Sequence, residues 1–146
     1  MAQMATSENE ETVSRVYLQA LQDRSDGRDL GPAEEMVYHV EMLSQEVNSG
    51  ASFEQYFRWA SLAEISEAAP RLESLDLPDV AELVRRAIAV AFPDGIPRTD
   101  DEKSELVDWT EEQELLLGEL ADEFSEWNGA IINVLGELYR ASTGGA

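Results

Sequence analysis

Hydrophobic positions along the chain recur at intervals of three and four residues, which is the spacing of one face of an α-helix. The clearest run is Val80, Leu83, Val84, Ala87 and Ile88. No segment alternates between apolar and polar positions as a half-exposed strand does. The pattern therefore predicts an all-α fold, a single compact domain of about six to eight helices. That domain should span residues 1–146, with frayed ends at 1–7 and 142–146.

Turn and capping residues set the predicted boundaries of these helices. Ser7 and Glu10 have the spacing of a capping box, and Pro32 suits the first position of a second helix. Ser52 should cap a short third helix. Pro70 lies inside the next apolar stripe, where it should kink the helix or divide it into two short pieces. The predicted helices cover residues 8–24, 32 to about 48, 53–60, 61–75, 78–92, 101–109, about 116–127 and about 131–141.

The second helix is followed at once by a group of large aromatic residues. Asn48 and Gly50 should end that helix, because Asn and Gly tolerate the left-handed conformation common at helix ends. Phe53, Tyr56 and Phe57 then recur at the spacing of an inward-facing helix surface. We interpret this turn as a corner of the core rather than a binding surface, because contiguous exposed aromatic patches are rare on soluble monomers.

Composition excludes several classes of protein. The 146 residues include 31 acidic and 10 basic side chains, for a formal net charge of -21. Direct binding to nucleic acid or to an anionic membrane is disfavoured, because both require Lys and Arg to meet phosphates. A basic partner is favoured, since opposite fields steer association. The alternative is an acidic surface that only keeps the protein dispersed.

The acidic residues are concentrated in one stretch near the C-terminal end. Between residues 100 and 126 twelve carboxylates accompany a single base, Lys103. Like charges three or four residues apart destabilise a helix, so a band of one sign indicates selection for its field. The band comprises Asp100, Asp101, Glu102, Glu105, Asp108, Glu111, Glu112, Glu114, Glu119, Asp122, Glu123 and Glu126. We expect a partner to bind all of these residues except Glu114.

Residues with catalytic or metal-binding chemistry are few. His39 is the only histidine, and Glu35 precedes it by one helical turn. A metal site normally needs further ligands at fixed spacing, so we expect no metal. The chain has no cysteine and none of the nucleotide-binding or hydrolase motifs. The sequence therefore predicts no cofactor and no enzymatic activity.

Location and assembly follow from the remaining features. The N-terminus lacks the basic and apolar segments of a signal peptide, and no apolar run could span a membrane, which makes the cytoplasm the expected compartment. Trp59 lies off the inward face of the third helix. With Trp127 it leaves more aromatic surface than a small helical domain readily hides, so we expect a homodimer.

The aromatic turn also carries a resemblance to a known family. It has the order Glu46-Val47-Asn48-Ser49-Gly50, followed by Phe53, Gln55, Tyr56 and Phe57. This order resembles the E-V-N-N-G-G-F-x-Q-Y/F-F segment of the bacterial DNA-mimic protein family, whose domain is otherwise of unknown function. Ser49 replaces the second Asn, and Ala51-Ser52 makes the turn one residue longer. Residues 77–87 and 92–95 are similar to that family as well, and the similarity extends over about residues 35–141.

The resemblance implies an all-α fold and, as in the family's namesake, an acidic dimer that occupies the DNA site of a transcription factor. Three other hypotheses stay open at this point. The protein could be an immunity or antitoxin-like protein that neutralises a basic toxin or nuclease. It could bind or convert a small molecule near the Asn48 turn. It could also be a helical domain whose charge has no role in binding.

Overall fold

The computed structural model describes residues 3–144. Within that range the chain forms eight helices and no strand, which confirms the predicted all-α class and the expected number of helices. The helices are α1 (Ser7–Ser25), α2 (Pro32–Gly50), α3 (Glu54–Trp59), α4 (Leu62–Ser74), α5 (Pro78–Ala91), α6 (Asp100–Leu106), α7 (Glu111–Ser125) and α8 (Asn128–Ser142).

Contacts within the chain define two compact units. The first contains residues 3–42 and 126–144, and the second contains residues 43–125, so the boundary falls inside α2. That residues 1–146 form a single domain stays a prediction, as does the fraying of residues 1–7 and 142–146. Residues 1, 2, 145 and 146 lie outside the described part of the chain.

In the first unit α1 packs against α8, and two buried asparagines join these helices. The Oδ1 atom of Asn133 accepts hydrogen bonds from the Nδ2 of Asn9 (2.9 Å) and the backbone N–H of Thr6 (3.0 Å). The Nδ2 of Asn133 donates to the carbonyl of Met4 at 3.0 Å. A Cβ atom at Gly136 would lie 2.4 Å from the Oδ1 of Asn9, so this close approach requires glycine. Met4 and Thr6, which precede α1, are thereby held against α8.

Two predicted helix caps are wrong, and so is the predicted division of a helix at Pro70. The N-cap of α3 is Phe53 rather than Ser52, although the Ser52 hydroxyl accepts from the backbone N–H of Glu54 at 3.2 Å. The cap of α1 is Thr6 rather than Ser7, because Thr6 is extended and its side chain accepts from the backbone N–H of Asn9, while Ser7 is already helical. Pro70 does not divide its segment, since α4 is one helix of 13 residues. Proline removes only one backbone donor and has a φ close to that of a helix. Burial of neighbours such as Ile65 and Leu72 keeps the helix together.

The core of the second unit contains an aromatic cluster built around Phe57. The ring of Phe57 stacks on Phe53 with centroids 5.8 Å apart and meets Phe92 edge-on at 5.5 Å. Phe53 meets Phe124 of α7 edge-on at 5.7 Å. Phe53 and Phe57 are fully buried and Tyr56 is almost fully buried, which confirms the predicted core corner. Helices α4 and α5 pack together, and α5 also packs against α7.

Helix α7 turns only some of its apolar residues towards the core. Leu117, Leu120 and Phe124 are buried, whereas Leu116 is 38% exposed and does not belong to the inward face. At about 100° per residue, Leu117 lies roughly 20° from Phe124 around the helix axis, whereas Leu116 lies roughly 80° from it, so Leu117 shares the inward face.

The turn between α2 and α3 is a Schellman motif centred on Ala51. The backbone N–H of Ser52 donates to the carbonyl of Val47, and that of Ala51 donates to Asn48, both at 3.3 Å. Ala51 has φ 51° and is therefore the left-handed residue of the turn. The sequence instead predicts this conformation at Asn48 or Gly50. Helix α2 extends through Gly50, so the left-handed residue follows its last helical position.

We predict that Phe57→Ala destabilises the protein by about 3–5 kcal/mol, because it removes the ring on which Phe53 and Phe92 pack. Urea unfolding followed by circular dichroism measures this loss. Trp59→Ala is the control, since Trp59 is 75% exposed and its removal should change the unfolding free energy by less than about 0.5 kcal/mol. Equal stability of Phe57→Ala and the wild type would refute the core assignment.

We predict that Ala51→Gly stabilises the protein by roughly 0.5–1 kcal/mol, because glycine adopts the left-handed conformation without the steric penalty that alanine bears. The methyl group of Ala51 is exposed, so its removal costs no packing. The same urea titration tests this change. A lower unfolding midpoint for Ala51→Gly would contradict the assignment of strain to this turn.

Candidate functional site

The carboxylates predicted to bind a partner are all exposed, and those from Asp100 to Glu123 lie on α6, on α7 or in the loop between them. With Glu114, which is also exposed on α7, these residues number eleven, and we call them the carboxylate surface. Its members are Asp100, Asp101, Glu102, Glu105, Asp108, Glu111, Glu112, Glu114, Glu119, Asp122 and Glu123.

Three of these carboxylates have a local structural role at the start of α6. Asp100, Asp101 and Glu102 occupy its first turn, where the positive end of the helix dipole stabilises negative charge. Thr99 caps the helix by accepting from the backbone N–H of Glu102 at 3.1 Å. The side chain of Glu102 in turn accepts from the backbone N–H of Arg98 at 3.1 Å. Acidity at this end of α6 therefore stabilises the helix.

The start of α7 repeats this arrangement. Thr110 and Gln113 form a reciprocal capping box, in which each side chain accepts from the backbone N–H of the other, at 3.1 Å and 2.9 Å. The side-chain amide of Gln113 also donates to the carbonyl of Val90 at 2.9 Å, which joins α7 to α5. Glu111, Glu112 and Glu114 then fall in the first turn. Helix stability therefore explains these three carboxylates as well.

The helix dipole does not explain the carboxylates farther along α7. Glu119, Asp122 and Glu123 are three or four residues apart, where like charges repel. Glu123 lies 3.7 Å from the guanidinium of Arg86, and both side chains are about half exposed, so this pair contributes little. Glu126 follows the last residue of α7 and belongs to the first unit. Glu126 therefore does not continue this series of charges along the helix, and only Glu119, Asp122 and Glu123 share α7.

Lys103 is the functional candidate that sequence reasoning missed. Its one signal in the sequence is that it is the single base between residues 100 and 126. Its side chain is buried, and its Nζ donates to the carbonyl of Ala60 at 2.5 Å. Burial lowers the pKa of Lys103 from its usual 10.5, and the negative charge of Asp100 opposes that effect. Among the described residues no carboxylate forms an ion pair with this ammonium group.

Lys103 lines a cleft of about 360 Å³ between α3 and α6. Arg58 is held at this cleft by two contacts: its Nη2 donates to the carbonyl of Val107 at 3.2 Å, and its guanidinium lies 5.4 Å from the ring centre of Trp109. The exposed indole of Trp59 forms a further wall. The lining consists of Arg58, Trp59, Asp100, Lys103, Ser104 and Val107.

The residues of the aromatic turn are joined mainly to one another. The Nε2 of Gln55 donates to the carboxylate of Glu46 at 2.6 Å and lies 3.4 Å from the hydroxyl of Ser49. The side chain of Gln55 also covers Gly50, where a Cβ atom would lie 3.4 Å from its Oε1. Asn48 donates to the hydroxyl of Ser44 at 3.2 Å. These contacts fasten the end of α2 to α3.

Other chemistry is sparse in the part of the chain that the structure describes. The Nε2 of His39 lies 3.2 Å from the carboxylate of Glu35, and His39 is 8% exposed. No three His, Asp or Glu side chains of residues 3–144 come together as a metal site would require. Over the same residues no helix is both long and apolar enough to cross a membrane.

The family is settled by a match over most of the chain. The family model described as DMP19-like protein matches residues 28–141. The chain belongs to the DMP19-like family. The DMP19-like match includes the aromatic turn, α6 and α7, so the family recognised in the sequence is confirmed. No curated protein and no solved structure matches the chain.

We predict that wild-type protein gains stability relative to Lys103→Met as the pH rises from about 7 towards 10.5. Between the lowered pKa of Lys103 in the folded protein and its usual pKa of 10.5, the unfolded chain binds more protons than the folded one. Under that condition the unfolding free energy increases with pH. The raised pKa of Tyr56 affects both proteins alike and cancels. Urea midpoints at about pH 7 and about pH 10 measure the difference, and a constant difference would contradict the burial of this charge.

Proposed function

We propose that this protein is a non-catalytic DNA mimic, which presents its carboxylate surface to the DNA-binding site of a basic protein such as a transcription factor. The observation that carries the proposal is the exposure of eleven carboxylates on α6, α7 and their connecting loop, in a member of the DMP19-like family. Such a surface offers a basic cleft the negative charges that a phosphate backbone would offer. The expected compartment is the cytoplasm, where such a partner binds DNA.

Charge placement within the carboxylate surface supports this proposal. Helix capping accounts for six of its members, those in the first turns of α6 and α7. Glu105, Glu119 and Asp122 are exposed, lie outside these first turns and have no ion pair among the described residues. Solubility alone would be served as well by interspersed lysines. These three carboxylates add negative charge without stabilising their own helices. A negative field of this kind favours association with a basic partner.

We predict that reversing Glu119, Asp122 and Glu105 to Lys abolishes binding to the basic partner without unfolding the protein. The three side chains are exposed, so the fold should tolerate them, and the change of about six charge units removes the steering field. The partner is first captured from native lysate at low salt and identified by mass spectrometry. Gel-shift competition then measures whether the protein displaces duplex DNA from the purified partner.

The matched control carries the same charge change at exposed carboxylates outside α6 and α7: Glu11→Lys, Glu82→Lys and Glu137→Lys. It should retain at least about a tenth of wild-type competition, because net charge contributes less than local complementarity. Equal loss in both triple variants would show that only net charge matters and would refute a specific carboxylate surface. A captured toxin or nuclease that is inhibited without competition for DNA would support the immunity-protein alternative instead.

We further propose a homodimer and predict a mass of about twice 16.2 kDa in solution. Large apolar side chains are exposed on helices of both units, Leu18 at 62% and Leu115 at 63%, and self-association would cover such side chains. Light scattering across a wide range of concentrations tests this. A mass of 16.2 kDa throughout that range would reject the dimer.

A further inference from the structure

The cleft between α3 and α6 differs in charge from the rest of the molecule. Two of the chain's ten basic residues, Arg58 and Lys103, line it, together with one acidic residue, Asp100. Its lining therefore has a formal charge of +1 in a protein whose net charge is -21. Its volume of about 360 Å³ falls within the range of small-molecule sites.

The state of Lys103 gives this cleft a capacity to bind an anion. A buried ammonium group is costly unless a charge of opposite sign accompanies it. Lys103 is 8% exposed and donates to a backbone carbonyl rather than to a carboxylate, although the chain contains 31 acidic residues. The charge of Asp100 acts on Lys103 without forming an ion pair with it among the described residues, so an anion in the cleft would supply the direct contact. Arg58 can hold the anion as well, because among the described residues only one of its five N–H donors makes a hydrogen bond, to the carbonyl of Val107.

The third wall of the cleft is aromatic. Trp59 is 75% exposed, while the other aromatic residues of α3 are buried. A flat indole beside two cations suits a ligand that combines a ring with a negative group. Asp100 would repel a second negative charge and so disfavours dianions such as phosphate. We propose that this cleft binds a small planar organic anion, with Lys103 and Arg58 holding its carboxylate and Trp59 stacking on its ring.

Benzoate is the probe, and benzamide is its neutral counterpart of nearly the same shape. Each ligand is titrated into the ¹⁵N-labelled protein at an ionic strength of about 0.1 M. The salt screens the distant carboxylates, because the Debye length is then about 10 Å. We expect benzoate to shift the indole N–H of Trp59 and the amides of α6, with a dissociation constant on the order of 1 mM for a ligand of this size. Benzamide and inorganic phosphate should leave these signals in place.

Three variants locate the binding. Trp59→Ala and Lys103→Met should each weaken benzoate binding by about tenfold or more, equivalent to about 1.4 kcal/mol. Arg98→Gln removes one exposed positive charge that does not line the cleft, so its affinity should stay within about twofold of wild type. The spectra themselves report whether each variant is folded. If Lys103→Met does not fold, Trp59→Ala still tests the site.

The proposal fails if benzoate produces no shift at Trp59 or α6 up to about 20 mM, some twenty times the dissociation constant expected for a ligand of this size. It also fails if benzamide binds equally well, because the cleft would then be only an apolar surface. Equal loss of affinity in Arg98→Gln and Lys103→Met would show a non-specific charge effect. None of these results bears on competition with DNA, which depends on other carboxylates, so the two proposals can fail separately.

Discussion

The second unit depends on the mutual burial of Phe53, Phe57, Phe92 and Phe124. These rings come from the segment before α3, from α3 itself, from the residue after α5 and from α7. Their edge-on and stacked contacts fix where each segment must lie. Phe53 and Phe57 are buried where a turn directly after α2 leads the chain into α3. Ala51 accepts a left-handed conformation there, and the bond from Gln55 to Glu46 fastens the two sides of the turn. The residues of the aromatic turn therefore serve the fold at this point.

The same packing determines what remains available for binding. With the apolar faces of α3 and α7 turned inward, the carboxylates of α7 and the indole of Trp59 face solvent. Much of the acidity in this region also stabilises its own helices, because the first turns of α6 and α7 carry negative charge at the positive end of each dipole. Acidity and helix formation thus reinforce each other in the first turns. Only farther along each helix does the charge oppose helix stability and indicate a separate role.

Lys103 shows how one residue can differ from the trend of a whole sequence. Its chain neighbours are acidic, yet its amine is buried and donates to the carbonyl of Ala60, the residue that follows α3. This contact links the short helices α3 and α6, and with Arg58 it creates a positively lined cleft beside the carboxylate surface. A negatively charged molecule can therefore contain a local site of opposite preference, because contacts within a few ångströms are screened less than distant charges.

The sequence by itself determined the helical class, the approximate bounds of the helices and the inward face of α3. It could do so because period, capping residues and aromatic spacing are local properties. It also indicated the family through the residues of the aromatic turn. Only the tertiary structure decided that Ala51 is the left-handed residue, that α4 continues through Pro70 and that Glu126 lies beyond α7. The burial of Lys103 likewise depends on a carbonyl 43 residues away, which no local pattern encodes. Such features arise where distant segments meet, and packing overrides local preference there.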